Sequence, residues 1–310
     1  MKVHLNTDNY NNILSPVITV GTFDGIHLGH QVILSNLKKL AKDIEGESVL
    51  LTFEPHPRKV LFDDDNIKLI TSMKEKIKLL ESFGLDHLII YPFTEEFSKI
   101  NPVYFVRDLL VNKLNVNTLV IGYDHHFGKN REGDFKLLEE LSTVYNYNLV
   151  EIPAKEIKHV NISSTKIRKA LINGDISLVN SYLGHNFTIN GLVVSGNKIG
   201  RTIDFPTANI KIIDKEKLIP ASGVYAVRIH IGNYCYNGMM NIGYNPTIDI
   251  KNTNIKLEVH IFDFNEQLYD TEIKIEVISN LRKEKEYLNL SQLKKQLLLD
   301  KESALKILTN

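Results

Sequence analysis

Between residues 16 and 152 the chain alternates short apolar runs with stretches whose apolar positions recur at helical spacing. PVITVGTF is followed by HQVILSNLKKLAKD, SVLLTFE by MKEKIKLLESFG, and DHLIIYPF by PVYFVRDLLVNKL; NTLVIGYD, FKLLEELSTVYN and YNLVEIP complete the series. An apolar run followed by an amphipathic stretch, repeated, predicts a parallel sheet wrapped by helices. In the first helix Ile33, Leu37, Leu40 and Ala41 fall at i, i+4, i+7 and i+8 and mark the face that docks on the sheet. After Gly184 the texture changes. FTINGLVVSG, GVYAVRIHIGNYCYNGMMNIGY, KLEVHIFDF and TEIKIEVIS, punctuated by Gly, Asn and Pro, predict a compact antiparallel barrel or sandwich. Residues 163–185 read as helix broken at Asn173-Gly174 and at Gly184, and the stretch from Ser291 to Leu308 as one or two closing helices with Ser291 as N-cap. Two domains are expected, 1–184 and 185–310.

One string stands out by position. GTFDGIHLGH, residues 21 to 30, leaves a strand and enters the first helix, where open α/β sheets place their ligands. Gly21, Gly25 and Gly29 permit tight backbone geometry around Phe23 and Asp24, these five residues are expected to bind a nucleotide phosphate, and a helix N-terminus offers amides and partial positive charge to that anion. His27 and His30 lie three apart; a helix starting near Leu28 brings both imidazoles to one side of its first turn, where each can donate to charge on a phosphate oxygen. The glycines do not fall as GxGxxG, so hydride chemistry on a dinucleotide is disfavoured.

These residues carry a resemblance. GTFDGIHLGH resembles the HxGH signature of nucleotidyltransferases, in the form found in the bacterial bifunctional riboflavin kinase and FMN adenylyltransferase (FAD synthetase) family. TFEPHP at 52–57, GYDHHFGKNREG at 122–133, ISSTKIR at 162–168, GRTIDFPTANI at 200–210, GVYAV at 223–227, NIGYNPT at 241–247 and LEVHIFDF at 257–264 match in the same order, nearly the length of the chain. The resemblance implies a nucleotidyltransferase-type parallel sheet that moves AMP from ATP to FMN, and a riboflavin kinase-type antiparallel barrel with a closing helix. The residues agree with the first chemistry. A phosphate oxygen attacks the α-phosphorus of ATP in line, and protein groups chiefly position reactants and stabilise charge. His27 and His30 are candidates for that stabilisation; Ser163, Ser164 and Thr165 can cap a helix and expose amides, and Arg168, one turn on, can meet the leaving pyrophosphate. His56, in a stiff Pro-flanked turn after a strand, and Asp124, after another, are expected at the flavin or nucleotide; His125 stands where the family usually has Phe.

GNKIGRT at 196–202 is not a P-loop, because three residues instead of four separate Gly196 from Gly200 and Arg201 replaces the lysine. It resembles the glycine-rich loop of riboflavin kinases, which assigns Gly196, Gly200 and Arg201 to ATP. The PTAN motif follows. Thr207 and Asn209, two apart in an extended strand, project to the same side as neutral oxygen ligands suited to magnesium held by ATP phosphates. In LEVHIFDF, alternation puts Leu257, Val259 and Ile261 on one face and Glu258, His260 and Phe262 on the other. A carboxylate can orient a hydroxyl and accept its proton during γ-phosphoryl transfer, and the resemblance makes Glu258 that base for riboflavin. Asp204 departs from the family's Gly before Phe-Pro-Thr; a carboxylate beside a triphosphate repels it unless the side chain turns away or helps to bind metal.

Composition narrows the partners. Among 310 residues, Lys plus Arg and Asp plus Glu each number 37, so no basic excess points to nucleic acid. No apolar run approaches the roughly 20 residues of a membrane helix. The single Cys235 and an opening without a signal-peptide core fit a reducing, cytoplasmic setting. The expected partners are riboflavin, FMN and ATP, with Mg2+ and with FAD as product; oligomeric state is not legible. Two other readings stay open: an FMN adenylyltransferase whose barrel only binds flavin, motivated by Asp204, and a flavin-responsive RNA-binding regulator, against which the balanced charge and the lack of an RNP1-like string speak.

Overall fold

The computed structural model describes residues 1–5, 10, 12–62, 67–123, 126–129, 132–153, 162–196, 200, 203–245 and 254–309. They form two compact units, Met1–Ser163 and Ser164–Asn310.

The first unit is built on a parallel sheet of β1 (Lys2–His4), β2 (Val17–Val20), β3 (Ser48–Glu54), β4 (His87–Pro92), β5 (Thr118–Gly122) and β6 (Asn148–Ile152), in the order β1-β4-β3-β2-β5-β6. Alternation along the strands supplies two cores. Ile18, Val20, Val49 and Leu51 pack on one face with Val106, Leu110 and Leu138. Val17, Leu50 and Leu88 pack on the other with α1 (Leu28–Asp43) and α2 (Met73–Ser82), through Leu34, Leu37 and Leu80. The buried face of α1 is centred on Leu34, Leu37 and Ala41, with Ile33 and Leu40 at its margin, a small rotation from the face the spacing predicted. Residues 105–113, expected as an ordinary amphipathic helix, wind as a π-helix; α3 (Phe135–Tyr145) precedes β6. Successive strands step outward from β2 through β3 and β4, then restart on its other side at β5. The C-terminal end of β2 is therefore the sheet's switch point, where open α/β sheets place their ligands.

The second unit begins with α4 (Ser164–Asn173) and α5 (Ile176–Leu183), broken at Gly174 and closed by Gly184 in a left-handed cap. A closed antiparallel barrel follows: β7 (Phe187–Val194), β8 (Ala208–Ile212), β9 (Gly223–Ile231), β10 (Tyr234–Asn245), β11 (Asn254–Ile261) and β12 (Glu272–Arg282), in the order β10-β11-β8-β7-β12-β9. The closing segment is one helix, α6 (Leu290–Leu308), capped by Asn289 and not Ser291, the Asn289 carboxamide oxygen accepting from Gln292 N at 3.0 Å. Ala304 and Leu308 of α6 pack on Phe205, Val224 and Phe262, on the outer side of the barrel wall. The division by packing lies about 20 residues before the boundary expected near 184, because α4 and α5 bond to the barrel: Ala221 N donates to Leu171 O, and Asn180 Nδ2 to Val277 O.

Candidate active sites

At the first site, β2 delivers the chain to a loop with unusual backbone. Phe23 and Ile26 have φ of 46° and 43°, the left-handed region that non-glycine residues enter at a cost, here in company with Gly25 at 90°. Two ties hold the loop. Both Asp24 carboxylate oxygens accept from backbone amides, Ile70 N at 3.2 Å and Thr71 N at 3.0 Å, so this residue, expected at ATP, is occupied with the segment that leads into α2. Thr22 O accepts from Thr52 Oγ1 and from Lys76 Nζ, the latter at 2.7 Å. The loop ends at His27, the N-cap of α1, whose Nδ1 accepts from His30 N at 3.3 Å. That bond places the neutral ring's proton on Nε2. His27 and His30 stack with centroids 3.7 Å apart and planes at 12°, and Phe23 stacks on the other side of His30 at 4.5 Å. His30 Nδ1 is buried with no hydrogen-bond partner among the described residues. Burial, with His27 and then Lys76 as neighbouring charges, holds His30 well below the usual histidine range, so its ring is neutral at pH 7.

Gly21 lies under the Phe23 ring and Gly29 is buried in α1. His56 is buried at the end of β3, its Nδ1 accepting from Arg58 N at 3.2 Å. Ser163 closes the first unit; Ser164, Thr165 and Arg168 open the second at the start of α4. Asp124, His125 and Arg201 lie outside the described residues.

At the second site the barrel register brings the expected residues together. Glu258 on β11 pairs directly with Asn209 on β8 and, on its other side, with Asn241 on β10. Glu258 borders a cavity of about 290 Å³ between the outer barrel wall and α6, shared with Thr207, Asn241, Lys256, Arg282 and Tyr287. Thr207 also borders a second cavity of about 90 Å³. Lys256 Nζ sits 2.7 Å from Glu258 Oε1. His260 is buried, its Nδ1 bonds to Pro206 O at 2.8 Å, and burial lowers its pKa; a neutral imidazole thereby fixes the first residue of PTAN. Gly196 and Gly200 are required by close approach, since a Cβ would lie 1.9 Å from Asn209 Nδ2 in the first case and 2.1 Å from Phe205 O in the second. Their backbone packs directly against the PTAN segment. Asp204 turns outward: its φ is 64°, the glycine-like region, and its carboxylate meets Lys294 Nζ on α6 at 2.6 Å.

Sequence reasoning passed over Lys76 at the first site and Asn241, Lys256, Arg282 and Tyr287 at the second. The i, i+2 alternation that singled out Glu258 extends back to Lys256 and offered a signal there. Lys76 and Tyr287 offered none, since a charged helix position and an aromatic in a loop are ordinary.

Two separate folds in one chain, one with paired imidazoles at a sheet switch point and the other with a carboxylate beside an asparagine on a barrel wall, define a two-headed, nucleotide-dependent transferase. A family model described as FAD synthetase matches residues 11–166, and one described as riboflavin kinase matches residues 183–308. The bifunctional riboflavin kinase/FMN adenylyltransferase of Bacillus subtilis is 37% identical over 297 residues, 95% of this chain and 93% of that protein. The protein of the same name from Buchnera aphidicola subsp. Schizaphis graminum is 39% identical over 286 residues, 91% of each chain. The chain belongs to the bifunctional riboflavin kinase/FMN adenylyltransferase family, which phosphorylates riboflavin to FMN and adenylylates FMN to FAD with release of pyrophosphate. A crystal structure described as a macrolide-efflux protein from Streptococcus pneumoniae superposes with a TM-score of 0.85 at 29% identity, covering 97% of this chain and 98% of that one. Efflux is said of that protein; the likeness is of fold. Among the described residues no helix is long and apolar enough to cross a membrane.

Proposed function

We propose that FMN is adenylylated at the His27–His30 loop and riboflavin phosphorylated at the Glu258 cavity. The observation that carries the first assignment is the imidazole stack at the start of α1, with a strained loop behind it. As FMN attacks the α-phosphorus, negative charge grows on its non-bridging oxygens; neutral imidazole N–H groups and the N-terminus of α1 stabilise that charge, and pyrophosphate leaves. Ser163, Ser164, Thr165 and Arg168 are assigned to the ATP phosphates on the ISSTKIR motif, and His56 to the flavin on its place at the end of β3.

In the barrel, Glu258 orients the riboflavin hydroxyl and takes its proton as the γ-phosphoryl group transfers. The Lys256 ammonium, 2.7 Å from Oε1, holds the carboxylate in place. Thr207 and Asn209 fit magnesium: they are neutral oxygen donors, and Glu258, a carboxylate, stands opposite Asn209. When bound, the ion neutralises charge on the ATP phosphates. The reading places the protein in the cytoplasm, with small molecules and not nucleic acid as its partners.

In the full chain His30→Ala abolishes FAD formation and spares FMN formation, and Glu258→Gln does the reverse. Chromatography of the products reports FMN formation from riboflavin, ATP and magnesium and, in a separate reaction supplied with FMN, FAD formation. Loss of both activities from a folded single variant would refute independent sites, and absence of FMN from the unaltered chain would leave a barrel that only binds flavin.

A further inference from the structure

Lys76 lies in none of the strings that carry the family resemblance, and its surroundings are costly for a lysine. It is only 6% exposed, and it sits in the first turn and a half of α2, next to the positive end of the helix dipole. Burial pulls its pKa down, and the carboxylates of Asp24 and Glu54 push against that trend. The one hydrogen bond its ammonium makes among the described residues goes to a neutral group, Thr22 O at 2.7 Å, although an ammonium has three hydrogens to donate. A cation held this way is retained for something other than stability.

The neighbourhood shows what. Thr22 is the residue before Phe23, where the GTFDG loop turns into the left-handed region, and its carbonyl is pinned by Lys76 from α2 and by Thr52 from β3. The α2 side of this clamp is stiffened in turn. Ser72 and Glu75 form a reciprocal capping box, and Asp24 binds the amides of residues 70 and 71. Phe23, set by that turn, lies against His30, and His30 against His27. A continuous path of contacts therefore runs from the Lys76 ammonium to both imidazoles.

We propose that Lys76 is a positioning residue for FMN adenylylation: its buried ammonium fixes the Thr22 carbonyl, and through it the Phe23–His30–His27 stack, and gives the phosphate site a positive charge that solvent does not screen. The inference rests on the assignment of adenylylation to this loop. The charged and titratable groups around the pair are Asp24 from the loop, Glu54 from β3, and His27 at the N-cap of α1. A nearby cation disfavours protonation of His30, so removing it raises the pH at which that ring titrates.

The test compares Lys76→Met, which keeps the aliphatic stem, with Lys76→Arg, which keeps charge and donors, in the full-length chain. Expected for Met is a fall of about tenfold or more in kcat for FAD formation, with a smaller change in the KM for ATP and FMN formation intact. The His30 imidazole resonances titrate at higher pH than in the unaltered chain, and Arg restores both the rate and the titration toward their original values. A folded Met variant with unaltered FAD formation overturns the proposal, as does a His30 titration that does not move. Should Met not fold, Lys76→Gln replaces it, keeping a donor to Thr22 O without the charge; it is expected to show the same upward titration, and unaltered titration and rate in Gln overturn the proposal. Failure of the site assignment is separately visible: His30→Ala would then leave FAD formation unchanged, whereas failure of the Lys76 proposal alone leaves His30→Ala inactive.

Discussion

Asp204 occupies a backbone setting made for glycine, and two small terms decide what that costs. A non-glycine residue at a φ of 64° pays roughly 1 kcal/mol. Its ion pair with Lys294, between side chains 82% and 43% exposed, returns about 0–1 kcal/mol. The terms nearly cancel. Asp204→Gly relieves the backbone and loses the pair, so urea denaturation is expected to find stability within about 1 kcal/mol of the parent, with FMN formation unchanged. Asp204→Ala keeps the strain and loses the pair, and is expected to fall by about 1 kcal/mol. A large gain of kinase activity in the Gly variant would mean that the carboxylate does disturb the triphosphate. At this scale the sequence was legible where function sits in a short local pattern: the three-residue spacing of His27 and His30 at a helix start is enough to stack their rings. Asp24 was not legible, because its partners lie 46 and 47 residues away. Nor was Lys76, since a lysine on an amphipathic helix reads as solvated until the loop that covers it is seen.

Among the elements, α6 does more than close the barrel. Leu293 and Leu297 form part of the wall of the Glu258 cavity, and so does Arg282 at the end of β12. Arg282 reaches α6 through a forked pair with Asp300, with nitrogen-to-oxygen distances of 2.8 to 3.0 Å, and Gln296 donates to the same carboxylate at 2.9 Å. Asp300 is buried and Arg282 is mostly so. Asp300→Ala strands the guanidinium and is expected to cost about 3 kcal/mol, the lower end for a broken buried pair because the arginine keeps some solvent contact. The KM for riboflavin rises, and FAD formation from supplied FMN is unchanged; Asp300→Asn, which retains an acceptor, shows a smaller loss of both affinity and denaturation midpoint. Equal effects on the two activities would rule out a wall-setting role for this pair. Periodicity made the strands and helices legible, for each buries one face or both. It gave no sign of β1, a three-residue edge strand defined only by its pairing with β4, and it put the N-cap of α6 at Ser291, two residues past Asn289, whose side chain is in place to accept from Gln292 N.

For the whole molecule, the open matter is where one functional domain ends and the next begins. The ISSTKIR motif draws residues 163–184 toward the adenylylation domain, and the riboflavin kinase family model begins only at residue 183. Packing points the other way. Ile167, Leu171, Ile176, Val179 and Leu183 are all at most 1% exposed, each contributing roughly 2 kcal/mol of burial. Asn180 joins α5 to the barrel, accepting from Phe187 N at 2.8 Å and donating to Val277 O at 2.9 Å and Ile278 O at 3.3 Å. Gly174 sits against Ala221 and the Tyr225 hydroxyl. Removing these helices would expose apolar surface comparable in value to the whole stability of a small domain, about 5–15 kcal/mol. We therefore propose that α4 and α5 belong structurally to the kinase. A fragment of residues 164–310 is expected to unfold cooperatively and to make FMN from riboflavin and ATP, and a fragment of residues 185–310 to show a much lower thermal midpoint or no folded state. If the shorter fragment matches the longer in midpoint and in FMN formation, the boundary lies near 184 and the two helices are only a connector.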